Sequence, residues 1–433
     1  MKKMLFSAVA FAVVAVSAVA VAPTTSEAVP AFARQTGAAC LNCHFQAIPR
    51  LAAFGRNFKM NAYRDTGEQA LIEDDHLSLP AVFNASFLMK ARFGMGDTKQ
   101  TAAGVTTVIG KGGVVTGRAG VVGNSTTASS ISVQFPDEAA ILFGGRLGEH
   151  AGIFNEWEVV NGQMLGGKLA YVFDLDAGIV ALAIGTTDAL GAPSLFNDPS
   201  NAVVRNTRGV QTRANALRST VMHTGATGVG VYGHLNDTIY FALGGLLGQD
   251  AGGYPVGNAG VDVTLSPYLR AAFTGEIAGL DAVIGGWYAK TNVANYKAAG
   301  VAKDPRTEYG IDFQFQGDLG DVSVGFYAPI VLSAKTTVAL VDEKVMGYMP
   351  YVNVAFGPAG VRLGYDYSKT TNAGNVTGAT TKYSNVVLGA WYDVAQNLTL
   401  DLEVGIAKTD ATVAAATTTT KLTSTTLQIE YVY

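Results

Sequence analysis

The chain has 433 residues, a formal net charge of −4, 48% hydrophobic residues and only 15% charged ones. That balance offers no basic footprint for a nucleic-acid partner, and no apolar run after residue 22 is long enough for a transmembrane helix. With 51 glycines and just two cysteines, the apolar content has to sit in short alternating segments, without a disulfide framework.

The first segment reads as an export signal. Lys2 and Lys3 precede an almost unbroken apolar run from Met4 to Ala22, the pattern of a secretory signal peptide over residues 1–28. Cleavage is expected after Ala20, Ala22 or Ala28, where Ser26 and Ala28 supply the small residues. An uncleaved anchor is the alternative reading, since about 19 apolar residues nearly span a bilayer.

Residues 29–78 come next as a small α-helical cytochrome c segment. Cys40-Leu-Asn-Cys43-His44 uses both cysteines of the chain, and C-x-x-C-H is the attachment pattern of one covalently bound haem c. Two thiols three residues apart share one face of a helical turn. They form thioethers to the haem vinyl groups, and His44 is placed as the proximal iron ligand. A zinc site would need further ligands and a thioredoxin-type C-x-x-C a βαβ context, and the sequence has neither. The sixth ligand is open between Met60, on a helix predicted over residues 48–63, and His76, just before the first strand. Arg34, Arg50, Arg56 and Lys59 are candidate partners for haem propionates. His150, His223 and His234 read as loop or lumen residues. About 50 residues are too few to shield a haem alone, so the segment is expected in or at the mouth of a barrel formed by the rest of the chain.

Residues 79–433 carry the signature of that barrel, an alternation of apolar and polar side chains with period two. Phe83, Ala85, Phe87 and Met89 alternate with Asn84, Ser86 and Lys90, Tyr309 to Phe315 with Glu308 to Gln316, and Leu398 to Ile406 with Thr399, Asp401 and Glu403. The chain ends on the same pattern, with Leu427, Ile429, Tyr431 and Tyr433 alternating with Gln428 and Glu430. Short connections are predicted at 135–138, 174–177, 235–237, 278–281, 318–321, 357–360 and 394–397. Long polar loops are predicted near 95–128, 188–222, 249–260, 291–306, 333–344, 369–382 and 409–422. Alternating short and long connections define a mainly β, transmembrane antiparallel β-barrel of the bacterial outer membrane, in contact with its lipid. Parity predicts about 16 strands, with residues 139–161 read as one long bulged strand.

Pro30-Ala-Phe32-Ala-Arg34-Gln35-Thr36-Gly37, Cys40-x-x-Cys43-His44, Pro49 and Phe54-Gly55-Arg56-x-Phe58-Lys59 together resemble the fused outer-membrane monohaem cytochrome c–porin family. The order of signal, small cytochrome and barrel is also similar. The resemblance implies an iron oxidoreductase that takes electrons from extracellular Fe(II) and passes them to a periplasmic c-type cytochrome or similar carrier. Cys40, Cys43 and His44 carry over by motif; no iron-binding residue does. Outer-sphere electron transfer requires no catalytic residue beyond the haem. Two other readings stand beside it: a conduit reducing external acceptors, and a porin with a structural haem plug. The acidic cluster Glu73, Asp74, Asp75 and the inward carboxylates Glu308, Asp312, Asp366, Asp401 and Glu403 either attract Fe²⁺ or keep the lumen wet.

Overall fold

A computed structural model describes residues 30–67, 69–75, 78–102, 120–122, 125–159, 163–187, 191–203, 220–222, 226–247, 265–293, 304–338, 341–395, 397–414 and 416–433. The predicted signal segment 1–28, His76 and His223 lie outside the described residues. The described strands close into an antiparallel barrel of sixteen strands. They are β1 (Ala85–Ala102), β2 (Ser125–Arg146), β3 (Ala151–Glu158), β4 (Gln163–Leu175), β5 (Gly178–Thr187), β6 (Ala226–Leu235), β7 (Ile239–Leu247) and β8 (Ser266–Ile277), followed by β9 (Leu280–Val293), β10 (Asp304–Leu319) and β11 (Val322–Val338). The strand β12 comes in two pieces, Val341–Tyr348 and Tyr351–Phe356, broken at Met349-Pro350 because proline cannot donate to the ladder. The circle is completed by β13 (Ala359–Thr371), β14 (Thr380–Ala395), β15 (Leu398–Val413) and β16 (Ala416–Val432), which pairs with β1. Closure leaves no edge, which is what a sheet needs to cross a bilayer.

Alternation sorts the side chains into two environments. Along β8, Tyr268, Arg270, Ala272 and Thr274 are buried inside, while Leu269 and Phe273 face out. The same split puts Phe93, Met95, Leu182, Ile184, Leu363, Leu388 and Ile406 on the lipid face. In water that apolar belt would drive aggregation; in lipid it holds the barrel in place.

Six of the seven predicted short connections are tight turns at one end of the barrel. The seventh is not. Phe135-Pro136-Asp137 lies within β2 and bulges opposite Ala91, where the register with β1 shifts between Lys90 and Arg92. Proline fits a bulge because no ladder donor is required there. The bulge turns Asp137 onto Arg92 at 2.6 Å and Glu138 onto Lys90 at 2.6 Å. The real turn is at residues 147–150, so 139–161 holds the end of β2 and all of β3, not one strand. The two misreadings cancel in the strand count. Several predicted loops are also strand: β11 and β12 reach Val338 and Val341, and β15 and β16 reach Val413 and Ala416. Their threonines and valines favour extended backbone even where both faces are wet.

Candidate functional site

Three helices at the start of the described chain plug the short-turn end of the lumen: α1 (Pro30–Thr36), α2 (Cys40–Cys43) and α3 (Ala53–Met60). The helix predicted over 48–63 is therefore the shorter α3. A Pro at its first position opens α1, where a missing N–H costs nothing. The Ala31 amide donates to Ser86 Oγ at 3.0 Å, and Gln35 is fully buried between the Tyr63 carbonyl and Asn84. Phe32 stacks on Tyr63 at 5.0 Å and meets Phe58 edge-on at 5.2 Å, with Phe154 of β3 completing the group. Such pairs add roughly 0.5–1.5 kcal/mol each beyond simple burial. Gly152 permits this fit, since a Cβ there would lie 1.7 Å from the Ala62 carbonyl oxygen.

Charges then fasten the plug to the barrel. Arg56 makes two hydrogen bonds of 2.5 Å to the Asp281 carboxylate, and Arg64 forks onto Asp174. Arg50, almost fully buried, lies over the Trp391 ring at 5.2 Å, with Arg362 near the same ring at 5.6 Å. Lys59 donates to the Asp198 carbonyl at 2.8 Å, and Arg34 donates to the Ala85 carbonyl. The four cations expected at haem propionates thus each have a contact within the protein. Burial brings the Lys59 ammonium down to about 8, against a smaller opposing pull from Asp198.

The C-x-x-C-H turn itself is α2. Cys40 is buried and Cys43 half-buried, and the two are not joined in a disulfide. Burial, with a smaller contribution from Cys40, pushes the Cys43 thiol up to about 11. A thiol so held is a poor thiolate nucleophile, which disfavours dithiol redox work. His44 Nδ1 lies 3.1 Å from the Arg50 carbonyl oxygen. A carbonyl only accepts, so Nδ1 carries the proton and Nε2 keeps its lone pair. That is the tautomer of a histidine ligating a metal through Nε2, with a backbone carbonyl fixing its ring. Two thiols on one turn, with a histidine held in this tautomer beside them, fit a covalent haem. Leu41 and Phe54, 58% and 49% exposed on the plug, offer apolar surface for its face.

Met60 lies elsewhere on the plug. Gly55 touches the Cys43 backbone, whereas Ala53, Arg56, Asn57 and Met60 share the far face of α3 and line a cavity of about 390 Å³. Met60 is 2% exposed, and its carbonyl accepts a hydrogen bond from Tyr232 Oη at 2.8 Å. His234 borders the same cavity and meets Thr274 Oγ1 at 2.8 Å. His150 lies in the β2–β3 turn, 3.5 Å from Asp174.

The sequence reading missed one part of the site altogether. Residues 191–203, expected in an outer loop, fold into the lumen and cap the plug, beginning with a buried helical turn, α4 (Gly191–Leu195). Asn201 brackets Leu51, accepting from its amide and donating to its carbonyl, both at 2.9 Å. Arg270 of β8 binds Asp198 of the loop and Asp312 of β10, all buried. Leu195, Phe196, Ala202, Val203 and Met222 are too apolar a set for a solvated loop, and that was the available signal. Of the inward carboxylates, Glu308 accepts from the Val221 amide at 2.6 Å, Asp312 holds Arg270, and Asp401 and Glu403 share Arg362. Glu73, Asp74 and Asp75 are exposed, at the tip of a small hairpin separate from the barrel sheet. Among the described residues, no group of three or more His, Cys, Asp or Glu side chains is set to hold a metal ion.

No protein-family model matches the sequence, and no curated protein matches it. Solved structures similar to the barrel include OmpT, an outer membrane protein of Vibrio cholerae, at 12% identity and a TM-score of 0.45, over 84% of this chain and 99% of that one. The outer membrane channel DcaP of Acinetobacter baumannii shows 13% identity and a TM-score of 0.45, over 80% and 97% of the two chains. An anion-selective porin from Comamonas acidovorans shows 12% identity and a TM-score of 0.43, over 80% and 100%.

Proposed function

We propose that this outer-membrane-type barrel carries one haem c on its plug and moves single electrons across the membrane. Extracellular Fe(II) is the donor and a periplasmic c-type cytochrome or similar carrier the acceptor, which makes the protein an iron oxidoreductase. One observation carries the electron-transfer part: the C-x-x-C-H turn sits in a plug held in the lumen, with His44 Nδ1 committed to the Arg50 carbonyl. The donor and the direction rest on the sequence resemblance. A bound haem would supply one-electron exchange at its iron. The chain's own residues do the rest: Cys40 and Cys43 fix the group, Arg50 orients His44, and the capped plug keeps solvent from crossing with the electron. No proton has to move, because Fe(II) loses only an electron. The test is to mix the oxidised, detergent-purified protein anaerobically with Fe(II) and follow the haem absorption bands. Reduction supports the reading, and a spectrum that stays oxidised across the physiological pH range removes it.

A second reading is a channel whose plug is structural. It is favoured by the charged lumen wall around Arg362, Asp401 and Glu403. Solute flux through the full-length protein, together with a haem that does not respond to redox reagents, selects it. A conduit running outward, reducing external acceptors, requires instead a haem of low potential.

A further inference from the structure

The long-loop end of the barrel carries a pattern that neither the plug nor the lumen uses. Lys335 of β11 stands opposite Lys344 of β12, Lys369 of β13 opposite Lys382 of β14, and Lys408 of β15 opposite Lys421 of β16. Lys421 in turn stands opposite Lys99 of β1. All seven point away from the lumen: six have the parity of lipid-facing neighbours on their own strand, and Lys335 is turned outward by the bulge between Val331 and Ala334, which sets it opposite Lys344. Lys369 continues Leu363, Tyr365 and Tyr367; Lys408 continues Ile406; Lys344 continues Met346 and Tyr348; Lys99 continues Phe93 and Met95. The tyrosines Tyr348, Tyr365 and Tyr367 form a stacked belt one or two rungs below the lysines. Aromatic belts mark the interface between hydrocarbon and headgroups. Two residues along a strand advance about 7 Å, so the ammonium groups stand at headgroup height.

Side chains directly opposite across two strands lie close, and like charges there repel. Along seven consecutive strands that arrangement recurs at four of the six junctions, whereas Lys344 faces Thr371 and Lys382 faces Asp410 at the other two; the four are a cost unless anions fill the gaps. Carboxylates on this outward face supply only part of the offset: Asp342 meets Lys335 and Asp410 meets Lys408, each at 2.6 Å, and Asp97 is the third. Seven lysines against three aspartates leaves four positive charges facing the lipid headgroups.

We propose that this lysine arc binds the phosphate groups of an anionic phosphorylated glycolipid in the outer leaflet, each opposed pair straddling one phosphate. The apolar surface below takes the acyl chains, and the tyrosine belt takes the boundary between them. The arc covers β11 to β16 and β1, so bound lipid collects on one side of the barrel. The site is independent of the haem and of the direction of electron flow.

The test uses the full chain in detergent with bisphosphorylated lipid A as the probe, read by native mass spectrometry and by thermal unfolding. The parent is expected to bind it at least tenfold more tightly than the quadruple variant Lys369→Gln, Lys382→Gln, Lys408→Gln, Lys421→Gln. Dephosphorylated lipid A should bind the parent and that variant alike. Should the quadruple variant fail to close into a barrel, the double variant Lys408→Gln, Lys421→Gln serves, with an expected loss of threefold or more. Equal affinity of parent and variant for the bisphosphorylated lipid overturns the proposal. So does full displacement of the lipid by millimolar inorganic phosphate, which would make the arc a simple ion site.

Discussion

A Cβ on Gly55 would lie 2.1 Å from the carbonyl oxygen of Cys43. The helix carrying Arg56, Lys59 and Met60 therefore rests directly on the backbone of the C-x-x-C-H turn, and glycine alone allows that approach. Gly55→Ala is expected to push α3 off α2 and lower the yield of covalently haem-loaded protein several-fold, while the barrel still closes. The ratio of haem absorbance to protein, measured beside heat modifiability on a gel, checks both halves of that statement.

The Arg56–Asp281 pair latches the plug to the β8–β9 turn, with the Arg56 side chain 5% and the Asp281 side chain 25% exposed. Removing one partner strands the other charge in a confined site, so Arg56→Gln alone should loosen the plug more than the double change with Asp281→Asn. A double-mutant cycle on hydrogen exchange of α3 should return a coupling of about 1.5–3 kcal/mol. A coupling near zero would mean that the aromatic group around Phe32 holds the plug unaided.

How much of this was legible beforehand differs between barrel and plug. The barrel was readable because period two, Asp- and Gly-marked turns and an aromatic C-terminus all report local geometry. Phe135-Pro136-Asp137 was misread because a turn and a bulge call on the same residues, and only the β1 register separates them. That Cys40, Cys43 and His44 share one turn was readable because spacings of three and one residues are local. The inward fold of residues 191–203 was not, since the partners of Asp198 and Asn201 are Arg270, Gln314 and Leu51, far away in sequence. Gly55, Arg56, Phe58 and Lys59, noticed first as a resemblance, now each have a contact: Cys43, Asp281, Phe32 and Asp198.

Lys59 sets a pH dependence with a definite sign. Its folded-state ammonium loses its proton near pH 8, against an ordinary value of 10.5 for the unfolded chain. Between those values the undocked chain binds the extra proton, so docking of the plug strengthens as pH rises from about 8 to 10.5. Below pH 8 the buried charge opposes docking, by up to about 3 kcal/mol. Protease sensitivity of α3 should fall across this window in the parent. Lys59→Met should abolish the dependence; a variant that keeps the parent's profile would place the titration elsewhere.

The plug and the inward loop close the lumen from opposite sides, and they are not equivalent. The loop is tied to the wall by Arg270, Asp198, Asp312 and Ser200, independently of the plug. Deleting residues 29–78 therefore removes only one of two barriers. Single-channel conductance in planar bilayers should rise severalfold, yet stay below that of a second deletion that also lacks residues 191–203. Equal conductance of the two deletions would show that the loop leaves the lumen once Leu51 no longer holds Asn201. Unchanged conductance after the first deletion would show that the loop alone seals the barrel, and the plug's contacts at Asp281 and Asp174 would then serve to position the C-x-x-C-H turn.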